Sequence, residues 1–138
     1  EALPLDVCYT LRPGEDITLI SWGAMIVETL QAAKHLAEQG ISAEVIDVTT
    51  IKPLDMDTIL SSVKKTGRCV IIHEAAKTCG VGAEISAQIA ERALMDLQAP
   101  IKRVCGYDTI MPYFRNEHYY MPSVNDIVSA AKETLHYK

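Results

Sequence analysis

His73 and Glu74 stand side by side where the apolar run Cys69-Val-Ile-Ile72 gives way to a glycine-bearing loop. A base and an acid at a strand end could act on, or orient, a group held in a cleft. Neighbouring residues of a strand, however, point to opposite faces, so the two side chains cannot converge on one atom. The preferred reading is that both bond loop backbone and hold a subunit contact. Downstream, Gly80-Val-Gly-Ala83 opens a helix whose first amides would face the same cleft, which suits a small anion. A dinucleotide is not expected: Ile85 stands where a third glycine would fall, and the motif follows the third predicted strand rather than the first. Gly23, in the first turn, lacks both a glycine series and the lysine of a phosphate loop.

The four cysteines, Cys8, Cys69, Cys79 and Cys105, show no close paired spacing, and His73 and Cys79 are six apart across a loop. No metal is expected from that pattern, and a reducing compartment is. Cys69 and Cys105 fall inside apolar strands, where a free thiol serves as a small core side chain. Trp22, beside a glycine, reads as a large packing residue at a subunit seam.

Such residues need a frame to hold them. Residues 16–22 form the first strand, 24–39 a helix stopped by Gly40, and 42–48 a second strand. Asp55 caps a helix whose Met56, Ile59, Leu60 and Val63 make one buried stripe, ending near Gly67. Residues 68–74 give a third strand. Val81, Ile85, Ile89 and Ala93 mark a third helix, and 101–105 a fourth strand. Residues 106–122 form a long loop rich in tyrosine, of the kind that carries a function. A last helix starts near Pro122-Ser123, with Val124, Ile127, Val128, Ala131 and Leu135 inward. Alternation of this sort gives an α/β fold in three layers, α/β/α, with right-handed crossovers and a mostly parallel sheet.

A chain of 138 residues, 49% hydrophobic and 22% charged, suits one domain spanning 1–138. A net charge of −5 without a basic stripe leaves no footprint for nucleic acid or an anionic membrane. No apolar run reaches the roughly 20 residues of a bilayer crossing, and the residues after Glu1 are not expected to be a secretory leader. Glu1 at its head suggests a piece of a longer protein.

Three separated motifs carry a resemblance. They are Ile17-Thr-Leu-Ile-Ser-Trp-Gly-Ala-Met25 with the later Lys52-Pro-Leu-Asp55; His73-Glu-Ala-Ala-Lys-Thr-Cys-Gly-Val-Gly-Ala-Glu-Ile-Ser86; and Ala99-Pro-Ile-Lys-Arg-Val-Cys-Gly-Tyr-Asp-Thr109 with Met111-Pro-Tyr113. In this order the wording resembles the C-terminal domain shared by transketolase-like thiamine diphosphate enzymes. It resembles most the beta subunit of the first component of 2-oxoacid dehydrogenase complexes.

The resemblance implies a sheet of about five strands, its parallel members in the order second, first, third, fourth, with an antiparallel edge strand near residues 8–11. It implies a fragment of a beta subunit that joins an alpha subunit and a second beta subunit in an alpha2-beta2 tetramer and docks a lipoyl acyltransferase core. It also implies the bacterial cytoplasm or the mitochondrial matrix. Thiamine diphosphate and magnesium serve the full assembly; no Gly-Asp-Gly is present, so this domain alone is expected neither to bind them nor to turn over an oxoacid.

Carried over by position, docking falls to Leu135-His-Tyr-Lys138 and to the turn at Gln98, acidic in some relatives. Asp108 matches the family's Gly-x-Asp and would lock the long loop by accepting backbone hydrogen bonds, while Ile110 replaces a frequent proline. Trp22, Gly80, Gly82, Gln98, Asp108, Tyr113, Leu135 and Lys138 are thus the interface candidates, and His73 and Glu74 those of the cleft. Exposed seam surface at Trp22 and the tyrosine-rich loop would make the isolated domain self-associate. The wording after the third strand is closest to branched-chain enzymes, with pyruvate and acetoin enzymes as alternatives. A transketolase domain is a neighbouring reading, and a flavodoxin-like module binding a small anion one of another class.

Overall fold

A computed structural model describes residues 4–137 of the chain; the docking candidate Lys138 lies outside them. Its centre is the strand β2 (Ile17–Ser21), in which every residue is buried. Strands covered by helices on both faces need no polar alternation, and Ile17, Leu19 and Ile20 accordingly meet two separate apolar layers.

Around it run β1 (Tyr9–Arg12), α1 (Met25–Ala37), β3 (Ala43–Asp47), α2 (Met56–Thr66), β4 (Cys69–Ala76), α3 (Val81–Ala93), β5 (Lys102–Gly106), α4 (Glu117–Tyr120) and α5 (Val124–Leu135). The sheet order is β1-β3-β2-β4-β5. All neighbours are parallel except β1, which pairs antiparallel with β3. This is the expected topology, edge strand included. Helices α2 and α3 cover one face over Ile20, Ile46 and Ile71; α1 and α5 cover the other over Leu19, Val45 and Ile72. No helix among the described residues is long and apolar enough to cross a membrane.

Helix ends fall where local chemistry sets them. Asp55 caps α2, accepting from the Thr58 amide at 3.1 Å, and Gly67 stops it at φ 67°, a left-handed conformation that a Cβ disfavours. Ser123 and Asp126 close a reciprocal capping box on α5.

Two elements depart from expectation. Strand β4 runs to Ala76 rather than stopping at Glu74, because pairing resumes after a register shift: His73 faces Cys105, and Ala76 faces Gly106. The loop expected at 106–122 holds the single-turn α4, whose Tyr120 is buried. Gly106 makes room for it, since a Cβ there would lie 2.6 Å from the Tyr120 ring.

Candidate functional site

The sheet order reverses between β2 and β4, and in an open parallel sheet that is where ligands and partners gather. Trp22 leaves the end of β2 and His73 the end of β4, and their rings stack with centroids 5.1 Å apart and planes 11° from parallel. His73 is 1% exposed, while Glu74 points the other way into solvent. The two side chains are therefore split between the faces of the strand, as strand alternation leads one to expect. Neither loop backbone nor Glu74 partners His73. Its Nε2 meets Cys105 Sγ at 3.1 Å, and its buried Nδ1 has no hydrogen-bond partner among the described residues.

Burial, and then the Arg103 guanidinium, push the His73 pKa down. Burial pushes the Cys105 thiol up, against the opposing pull of Arg103 and Lys77. Both shifts favour the neutral pair, an uncharged imidazole and a thiol sharing one hydrogen bond. Such a pair orients a ring; it does not supply a thiolate.

The first turn of α3 closes over this ring. A Cβ at Gly80 would lie 2.7 Å from His73 Cε1, and one at Gly82 would lie 2.7 Å from Nε2 and 2.9 Å from Cδ2. The two glycines thus admit an imidazole where the sequence suggested space for an anion.

Beyond the crevice, the loops following β4 and β5 are tied together. The Thr78 amide donates to Asp108 Oδ1 at 2.9 Å and its hydroxyl to Oδ2 at 2.6 Å, and Arg103 donates to the Lys77 carbonyl at 3.0 Å. The Thr78 hydroxyl and then its amide hold the Asp108 carboxyl below the usual carboxylate range. A groove of about 700 Å³ opens beside this tie, with Lys77, Arg103, Cys105, Asp108 and Glu133 among its walls.

The remaining candidates are dispersed. Gln98 lies exposed at the far end of the sheet, its amide donating to the Gly67 carbonyl at 2.8 Å. Leu135 packs half-buried against the α1 and α5 layer. Tyr113 stands 94% exposed on the long loop. Cys105 and Thr78 were not singled out as partners of His73 and Asp108. Their pairing depends on strand register and loop approach across 32 and 30 residues, for which a single sequence holds no local signal.

The family described as the C-terminal domain of transketolase matches residues 7–127. A pyruvate dehydrogenase E1 component subunit beta of Staphylococcus epidermidis is 49% identical over 126 residues, 91% of this chain and 39% of that protein. The Staphylococcus aureus subunit of the same name is 48% identical over the same shares. The chain therefore spans about two fifths of the length of the curated relatives it matches. Among solved structures, a split-gene transketolase, described as an inactive beta4 tetramer, superposes with a TM-score of 0.83 at 26% identity, over 96% of this chain and 42% of that one. A 2-oxoglutarate:ferredoxin oxidoreductase from Magnetococcus marinus shares the fold, with a TM-score of 0.62 at 12% identity over 94% of this chain and 19% of that one.

Proposed function

From the premise that the chain belongs to the transketolase C-terminal domain family, we propose that it is that domain of the beta subunit of a 2-oxoacid dehydrogenase first component. The observation that carries this reading is the 49% identity, sustained over 91% of the chain, to a protein named as such a beta subunit. The whole component decarboxylates a 2-oxoacid on thiamine diphosphate and passes the acyl group to a lipoyl arm. This domain contributes assembly with the alpha subunit and a second beta subunit, and a surface toward the acyltransferase core. A bacterial cytoplasm suits the staphylococcal relatives.

Thiamine diphosphate with its magnesium does not fit the residues at the crevice. At Gly80 and Gly82 the first turn of α3 packs on the His73 ring, and among the described residues no three His, Cys, Asp or Glu side chains gather to hold a metal. His73, Trp22 and Asp108 instead stiffen the strand ends and loops that neighbouring parts of the enzyme would contact.

Pyruvate is the oxoacid we favour, because the relatives at 48–49% identity bear that name. A branched-chain oxoacid is the second reading, carried by His73-Glu-Ala75 with Thr78 and by Val104-Cys-Gly-Tyr-Asp-Thr109. The test is to co-express the full beta subunit with its alpha subunit and follow decarboxylation of pyruvate and of a branched-chain oxoacid. Faster use of pyruvate is expected. An assembled enzyme inert toward every 2-oxoacid, or turnover by the 138-residue chain alone with cofactor added, would overturn the proposal.

A further inference from the structure

The groups that enclose His73 suit an uncharged ring and oppose a proton on it. Trp22 covers one face, Gly80 and Gly82 of α3 pack against its edge, and the ring is buried. An imidazolium carries hydrogens on both nitrogens. Here Nε2 faces the Cys105 sulfur, a weak acceptor, and Nδ1 has no partner among the described residues. Burial and then the Arg103 guanidinium resist the proton, and the positive N-terminal end of α3 adds to them.

Among the described residues no carboxylate pairs with the ring. Glu74 points to the other face of β4, and Asp108 is bonded to Thr78. Glu84 and Lys52 line a separate groove at Val81. The loop before α3 brings a further cation, Lys77, and the exposed thiol of Cys79. Only the second half of that loop is free to move. Thr78 is tied to Asp108, whereas Cys79 holds a left-handed φ of 58°, which a Cβ disfavours, and Gly80 follows it.

We propose that the Trp22–His73 stack is a proton-released latch: when His73 takes up a proton its ring leaves the crevice, and residues 79–83 at the head of α3 loosen while the sheet stays folded. Above the ordinary histidine value of about 6.5 the ring is neutral and the latch is shut. Below it, proton uptake favours the open state, in which water solvates the ring. At pH 5.5, about one unit below that value, the open-to-shut ratio should be up to about tenfold that at pH 7.5.

Tryptophan emission and amide exchange of the chain, followed from pH 7.5 to 5, test this, with circular dichroism confirming the fold throughout. Trp22 is the chain's sole tryptophan, so its emission reports the stack, and it should move to the red as the indole enters water. The Ala83 amide, bonded to the Gly80 carbonyl at 2.9 Å, should exchange several-fold faster at pH 5.5 after correction for the intrinsic rate. His73→Gln should abolish both changes. Arg103→Gln keeps the ring but removes the nearby cation, and should move the midpoint of the Trp22 change to higher pH. A ring whose Cε1 proton resonance titrates while Trp22 and Ala83 stay unchanged would overturn the proposal, as would a ring still neutral at pH 5. So would an emission change that coincides with loss of circular dichroism, that persists in His73→Gln, or that Arg103→Gln does not move.

Discussion

The imidazole of His73 lies flat against the indole of Trp22, 5.1 Å between centroids, joining the carboxyl ends of β4 and β2 at the point where the sheet order reverses. In many open sheets that crevice admits a ligand. Here it is packed with side chains, and the helix start that would face a ligand is built around one of them. A crevice packed in this way makes a stiff edge at the two strand ends, as the assembly role proposed above would require.

Replacing Gly82 by Ala should destabilise the fold. The new Cβ would lie 2.7 Å from His73 Nε2 and 3.2 Å from Ile71 Cγ2, and both neighbours are buried. Overpacking of this kind costs about 1–3 kcal/mol, while the better helix propensity of alanine returns at most about 1 kcal/mol. Urea unfolding should show a lower midpoint. Adding His73→Ala, which removes the clashing ring, should make the glycine substitution far less harmful in a double-mutant cycle. A Gly82→Ala variant as stable as the parent would show that the ring can shift at no cost.

Stability should fall as pH drops from neutrality. The folded-state pKa of His73 is lowered, so the unfolded chain binds the proton more readily. The contribution is fully present above the ordinary histidine value of about 6.5 and is lost as pH falls toward and through the lower folded value. Urea midpoints at pH 7.5 and 5.5 should therefore differ, and His73→Gln should narrow the difference. An unchanged gap in the variant would assign it to other groups.

How far the residues announced all this depends on the range of the interaction. Period and capping are local: Asp55 before Met56, Ile59 and Val63 fixes α2, and Ser123 fixes α5, so the helices were legible within a few residues. The strand order was legible through family wording rather than through periodicity, since buried parallel strands look alike. What stayed hidden is non-local. His73 could be marked as noteworthy, but its neighbours Trp22 and Cys105 lie 51 and 32 positions away and meet it only through sheet register. The same holds for buried Glu44, whose carboxylate pairs with Lys65 and accepts from the Gly14 amide at 3.2 Å.

Asp55→Ala should cost more than an ordinary lost cap. The carboxylate accepts from the Thr58 amide at 3.1 Å and its hydroxyl at 2.7 Å, and also from the Cys8 amide at 2.8 Å, which ties the edge strand's lead to α2. Cap removal alone costs about 0.5–2 kcal/mol, and loss of the Cys8 contact should place this variant at or above the upper end. Asp55→Asn keeps one acceptor oxygen and should fall in between. Equal unfolding midpoints for the two variants would argue that the Cys8 and Thr58 contacts contribute little.

Asp108→Asn should loosen the two loops without unfolding the domain. The side chain is exposed, so its bonds to Thr78 compete with water and global stability should barely move. Amide hydrogen exchange is the sensitive readout: the Thr78 amide, donated to Oδ1 in the parent, should exchange faster in the variant. The depressed pKa of Asp108 adds a sign. The tie is fully present above the ordinary aspartate value of about 3.9 and is lost only as pH falls through the lower folded value. Thr78 protection in the parent should thus persist at pH 5. Equal exchange at Thr78 in parent and variant would mean that the two loops are held together by Arg103 and Lys77 instead.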